Sequence, residues 1–128
     1  MGLAKQSTAQ ARESLASDQE RAERLPELLS AVAQAQEALE TARTRNAPVE
    51  ELNRRGVDLD AALTEAMRAA YAQERALVGP KGYEDRIYRR KRLARPRVRE
   101  ATRVAERLLT AREAHRLHGI ERVPRQAV

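Results

Sequence analysis

The chain contains no cysteine, tryptophan or phenylalanine, and its aromatic residues are Tyr71, Tyr83 and Tyr88 alone. The missing thiols exclude disulfides, thiolate metal sites and cysteine nucleophiles, and a cytoplasmic location is expected. Nowhere do about 18 apolar residues run together, and residues 1–12 mix Lys5, Gln6, Ser7 and Thr8 with no apolar stretch. Neither a membrane span nor a secretion signal is therefore expected. Runs of β-branched and aromatic residues are missing too, which argues against strands.

What remains is alanine, leucine, arginine, glutamate and glutamine, all strong helix formers. The sequence predicts an all-α fold in one domain, residues 1–128. Hydrophobic residues make up 41% of the chain, but alanine dominates them. At about 25 cal/mol per Å² of buried apolar surface, alanine contributes little. Stability is expected to come from long helix interfaces, self-association or a partner.

The apolar spacing organises these helices. From Leu25 it runs Leu25, Leu28, Val32, Ala35, Leu39, Ala42, alternating three and four as a heptad seam does. After the breaker Asn46-Ala47-Pro48, the same alternation returns through Val49, Leu52, Gly56, Leu59, Leu63, Ala66, Ala70, Gln73 and Leu77. Residues 25–78 thus read as an antiparallel, coiled-coil-like helical hairpin, with Gly56 allowing close approach by the facing helix. A separate or kinked N-terminal helix is expected over residues 1–24, with Pro26 at the break. Gly79-Pro80-Lys81-Gly82 is a strong turn signal. Beyond it lies a basic helical segment, residues 83–119, with a short helix near 84–94, a break at Arg95-Pro96 and a longer helix over 97–118. The longer helix carries the seam Val98, Ala101, Ala105, Leu108, and Gly119 is suited to a left-handed C-terminal cap. Residues 120–128 read as an irregular tail.

Charge is segregated along the chain. Residues 1–64 hold 8 Lys+Arg and 11 Asp+Glu, residues 65–128 hold 17 and 8, giving local charges of −3 and +9 within a total of +6. Arg86, Arg89, Arg90, Lys91, Arg92, Arg95, Arg97 and Arg99 fall in one stretch without an acidic residue, and Arg103 and Arg107 extend it. These ten are the candidate binding residues. On a helical projection Tyr83, Ile87 and Ala94 form a narrow stripe expected to pack, and the cations surround the rest. Their mutual repulsion would be relieved by a phosphate backbone. A solvated charged helix neutralised by hairpin glutamates is the structural alternative, and arginine outnumbers lysine 22 to 3, which a coding sequence rich in G and C produces without selection.

Other chemistry finds little support. The glycine-rich turn lacks the length and terminal Lys-Ser/Thr of a phosphate-binding P-loop. His115 and His118 stand three apart on one helix, but no third ligand accompanies them, and their place near a helix C-terminus suits the dipole. Glu50-Glu51 and Glu84-Asp85 sit at helix starts. No catalytic triad is visible, so no enzyme activity, cofactor or metal is expected. An anionic membrane surface would require a broader apolar face opposite the cations.

The expected partners are an RNA or DNA backbone, and other protein subunits or a second copy. With only Tyr83 and Tyr88 near the cations, contact with sugar and phosphate is favoured over base stacking. In size and character only, and through no motif, the chain resembles the small helical subunits that line nucleic-acid channels in RNA-guided CRISPR effector complexes. The competing reading is a structural or assembly protein, for example of a phage particle, whose arginines meet acidic protein surfaces.

Overall fold

A computed structural model describes the backbone of residues 2–124 and the side chains of residues 8–124. Five α-helices pack as a bundle: α1 (Gly2–Glu23), α2 (Leu25–Thr44), α3 (Val49–Val78), α4 (Arg86–Leu93) and α5 (Pro96–His118), with a 3-10 turn at Pro80–Tyr83 between α3 and α4. No strand occurs among the described residues. α3 packs against α1, α2 and α5, whereas α1 touches α2 only sparingly. The N-terminal pair therefore behaves as a rod broken at Arg24, where Pro26 enters in the first turn of α2.

The turn between α2 and α3 has a local cause. Asn46 takes a positive φ of 53°. That lets the Ala47 N–H reach the Ala42 carbonyl at 2.9 Å and the Asn46 N–H the Arg43 carbonyl at 3.1 Å, the pairing of a Schellman cap. Pro48 then opens α3. At the far end of α3, Gly79 adopts φ 96° and turns the chain into the 3-10 segment.

α3 and α5 run in opposite directions, as their cross-contacts record. Thr102 meets Glu74 (2.6 Å), Arg112 meets the Met67 sulfur (3.6 Å), and Arg116 meets Asp60 (2.6 Å). His115 lies with Nε2 2.7 Å from the Gly56 carbonyl; a carbonyl only accepts, so Nε2 carries the proton. Just past α5 the chain is held too, by Arg43 donating to the Gly119 carbonyl and Asn53 to that of Glu121. Residues 121–124 have no regular structure, and residues 125–128 of the expected tail lie outside the described residues.

Two glycines lie in close quarters near the end of α5. At Gly56 the atoms nearest an added Cβ belong to Ile120, whose Cα would lie 3.4 Å away. Gly119 has φ −102°, right-handed, so it is no left-handed cap. Glycine suits that position for space: a Cβ would fall 2.3 Å from His115 Nδ1.

Alanine sets the character of the core. Nine of the seventeen buried apolar residues among those described are alanines, and Ala42, Ala66, Ala69, Ala72 and Ala105 are wholly enclosed. Small side chains let helix axes approach, but each contributes little burial energy. Leucine and valine supply most of it: Val32 and Leu63 are 8% and 2% exposed, in one cluster with Leu25, Leu39, Leu59 and Leu108.

Polar pins supplement this core. Asp18 of α1, 8% exposed, accepts two hydrogen bonds from Arg75 of α3 at 2.9 and 3.0 Å and one from the Tyr83 hydroxyl at 2.5 Å. Burial pushes the Asp18 carboxyl up, but the Arg75 and Tyr83 hydrogen bonds and the charges of Arg75 and Arg21 outweigh it, and the carboxyl ends below its ordinary range. Burial, followed by the bond to the Asp18 carboxylate and its charge, pushes the Tyr83 hydroxyl well above its ordinary value.

Two outcomes follow. Leu63→Asp, which buries a charge in the apolar cluster, should lower Tm by more than about 10 °C or abolish cooperative melting, while Leu117→Asp, at a site 73% exposed, should shift it by no more than about 2–4 °C. Similar melting of the two variants would contradict the packing. Because the Asp18 carboxyl is depressed on folding, its contribution is complete above the unfolded value of 3.8 and is lost as pH falls through the lower folded value. Urea titrations of wild type and Asp18→Asn should therefore differ most at neutral pH and converge towards pH 2.

Candidate nucleic-acid interface

The basic segment begins at a well-made cap. The Asp85 carboxylate accepts from the backbone N–H groups of Ile87 and Tyr88, both at 3.0 Å, and so opens α4. Only eight residues long, this helix carries Arg86, Arg89, Arg90, Lys91 and Arg92. Exposed like charges about 6 Å apart repel by roughly 0.7 kcal/mol in water before salt screening. The cap and tertiary contacts must offset that repulsion.

Those contacts fix which side of α4 faces outward. Arg89 reaches back to Glu74 of α3 at 3.5 Å, and Glu74 also accepts from the Thr102 hydroxyl of α5 at 2.6 Å. Glu74 is only 4% exposed. Tyr88 faces the same way, its ring centre 4.9 Å from Lys81 Nζ and 5.3 Å from the Arg92 guanidinium. Leu93 is half-buried beside them. The side of α4 turned to the protein is thus Tyr88, Arg92 and Leu93, with the half-exposed Arg89 reaching back to Glu74; of the expected stripe only Tyr83, bonded to Asp18 before the helix begins, is packed. Ile87 is 70% exposed, and Ala94 is exposed as well. The hydropathy of one isoleucine is overridden by a buried carboxylate that requires a cation.

The ten candidate residues accordingly divide. Arg86, Arg90 and Lys91 lie on the outward side of α4, and with Ile87, Arg89 and Leu93 they line an open groove of about 740 Å³. Arg89 and Arg92 turn towards the protein. Arg95 stands at the break, extended before Pro96 with φ −69° and ψ 142°. Arg97, Arg99, Arg103 and Arg107 are all exposed on α5. Arg99, Arg103 and Arg107 follow Arg95 at four-residue intervals and lie along one face, away from the buried seam of Val98, Ala101, Ala105 and Leu108.

Neutralisation by the rest of the protein is slight. Arg89 pairs with Glu74, and Arg103 with Glu100 at 3.6 Å. Arg86, Arg90, Lys91, Arg95, Arg97, Arg99 and Arg107 enter none of the ion pairs found among the described residues. Other carboxylates serve elsewhere: Glu51 pairs with Arg45 and Arg55, and Asp60 with Arg116. The Arg116 hydrogen bond first, then the charges of Arg116, Arg112 and His115, hold the Asp60 carboxyl below its ordinary range against the effect of burial.

His115, bonded to Gly56, is not joined by other ligands, and no cluster of three His, Asp or Glu suited to a metal occurs among the described residues. No helix of the described residues is long and apolar enough to cross a membrane. No protein-family model, curated protein or solved structure matches the chain.

Arg89 and Arg90 provide a direct comparison. Arg89→Ala leaves the buried Glu74 with Thr102 alone and should cost about 1–3 kcal/mol of stability. Arg90→Ala, on the outward side, should change stability by less than about 0.5 kcal/mol. Urea unfolding of both variants checks this, and equal losses would contradict the orientation of α4.

Proposed function

We propose that the protein is a non-enzymatic, nucleic-acid-associated subunit of a larger complex, and that α4 and the first half of α5 lie against a sugar–phosphate backbone. The carrying observation is the concentration of exposed cations outside any ion pair, Arg86, Arg90, Lys91, Arg95, Arg97 and Arg99, with no acid between the first and the last. Guanidinium groups suit phosphate oxygens through paired, charge-assisted hydrogen bonds. Contacts of this kind give affinity and register without reading base sequence. On this reading α2 and α3 form a coiled-coil-like hairpin that packs against other subunits or a second copy, and the protein works in the cytoplasm.

Ile87 favours a second reading. An isoleucine 70% exposed between Arg86, Arg90 and Lys91 offers apolar surface that phosphates do not use, and it fits docking on an acidic protein surface in a structural assembly.

Fluorescence anisotropy with nucleic acids of unrelated sequence separates the two. If about four cations each neutralise a phosphate, log K should fall against log salt with a slope of roughly −3 to −4. Combined Arg86→Glu, Arg90→Glu and Arg95→Glu, in a protein whose helicity is unchanged, should weaken binding at least tenfold for every sequence. Ile87→Gln should alter affinity less than twofold. Unchanged affinity in the folded triple variant would remove this face as the binding site. A loss confined to Ile87→Gln in assembly with a protein partner would favour the second reading.

A further inference from the structure

The chemistry of the basic face also bears on strandedness, and the following rests on the backbone-binding reading above. We infer that this face takes a double-stranded nucleic acid and not an unpaired strand.

Every aromatic ring of the chain is already in use within the protein. Proteins that hold unpaired strands stack bases on aromatic side chains, a gain of roughly five- to 150-fold in affinity for each base. This chain has three rings to offer, and each is engaged by the protein. Tyr71 packs against the central cluster. Tyr83 donates its hydroxyl to Asp18 and lines the crevice beside Arg75 and Val78. Tyr88 is half-buried, with Lys81 and Arg92 over its ring. An unpaired strand would give up its own base stacking and meet no ring in return. Arginine planes stack on bases as well, but an arginine turned to a base is lost to the phosphates. In a duplex the bases already stack on one another, and the backbone alone is presented.

The layout of the cations points the same way. Arg95, Arg99, Arg103 and Arg107 span about 18 Å at 1.5 Å per residue, equivalent to roughly five base-pair steps of 3.4 Å. Arg86, Arg90 and Lys91 form a second line on α4, and the extended residue Arg95, where the first line begins, sets the two helices apart. Both lines are fixed, α4 by Glu74 and the Asp85 cap, α5 by its contacts along α3. Cations carried on helices held in place suit a stiff polyanion that already has its shape, whereas a flexible strand must lose conformational freedom to match them. The duplex also has the denser charge, one per roughly 1.7 Å of axis.

Anisotropy titrations of the full chain test this, using a 20-base-pair DNA duplex, an RNA duplex of the same sequence and each unpaired strand, at one low salt concentration. At least one duplex should bind ten or more times more tightly than either of its strands, and the tighter duplex identifies the source of the backbone. Tyr88→Leu should change affinity for the unpaired strands less than twofold, since the ring is not offered to bases. Equal or tighter binding of unpaired strands, or a fivefold loss of their affinity in a folded Tyr88→Leu variant, would overturn the inference while leaving the backbone reading intact. Failure of all four nucleic acids to bind would overturn both.

Discussion

The carboxylate of Glu74 joins three helices at one point. It belongs to α3, receives the Thr102 hydroxyl from α5, and draws Arg89 of α4 inward. A carboxylate only 4% exposed is costly unless hydrogen-bonded, and that cost makes the contact selective. Any rotation of α4 that removed Arg89 would leave Glu74 with a single donor. The outward direction of Arg86, Arg90 and Lys91 is therefore a consequence of a buried acid on another helix. A similar economy holds α1, where Asp18 gathers Arg75 and Tyr83.

These pins matter because the apolar core is thin. With alanine at most enclosed positions, the helices approach closely but gain little from each contact. The directional bonds are spread along α3, from Gly56 and Asp60 near one end to Glu74 and Arg75 near the other. One long helix thus acts as a spine, and its polar residues set the register of its neighbours. The basic face stays largely outside this network: of its ten cations only Arg89 and Arg103 enter ion pairs among the described residues, with Glu74 and Glu100.

Much of the helical order was legible in the sequence. The seams through Val32 and Leu63 follow from heptad spacing, and the breaks follow from Pro26, Pro48, Gly79 and Pro96. The pins were less visible, although they left a trace. Ala11, Leu15, Asp18, Ala22 and Leu25 continue the alternation of four and three, so Asp18 occupies a core position as a lone carboxylate. Glu74 follows Ala66 and Ala70 at intervals of four, one position past Gln73 of the heptad seam. An acid on a seam announces a buried partner, but its identity depends on tertiary contacts 57 residues away for Asp18 and 28 for Glu74. The orientation of α4 was misread for that reason: hydropathy alone placed Ile87 inside, whereas the pairing of Arg89 placed it outside. The cations of the candidate interface were all legible as a run. Their division into outward and inward residues was not.

Arginine footprinting tests, residue by residue, whether one face of α4 and α5 meets a polyanion. The protein would be treated with a dicarbonyl reagent that modifies accessible guanidinium groups, with and without bound nucleic acid at low salt, and read by mass spectrometry. The account predicts protection of Arg86, Arg90, Arg95, Arg99, Arg103 and Arg107, with unchanged modification of the exposed Arg12, Arg24 and Arg54. Protection spread evenly over all these arginines, or concentrated on the last three, would contradict it.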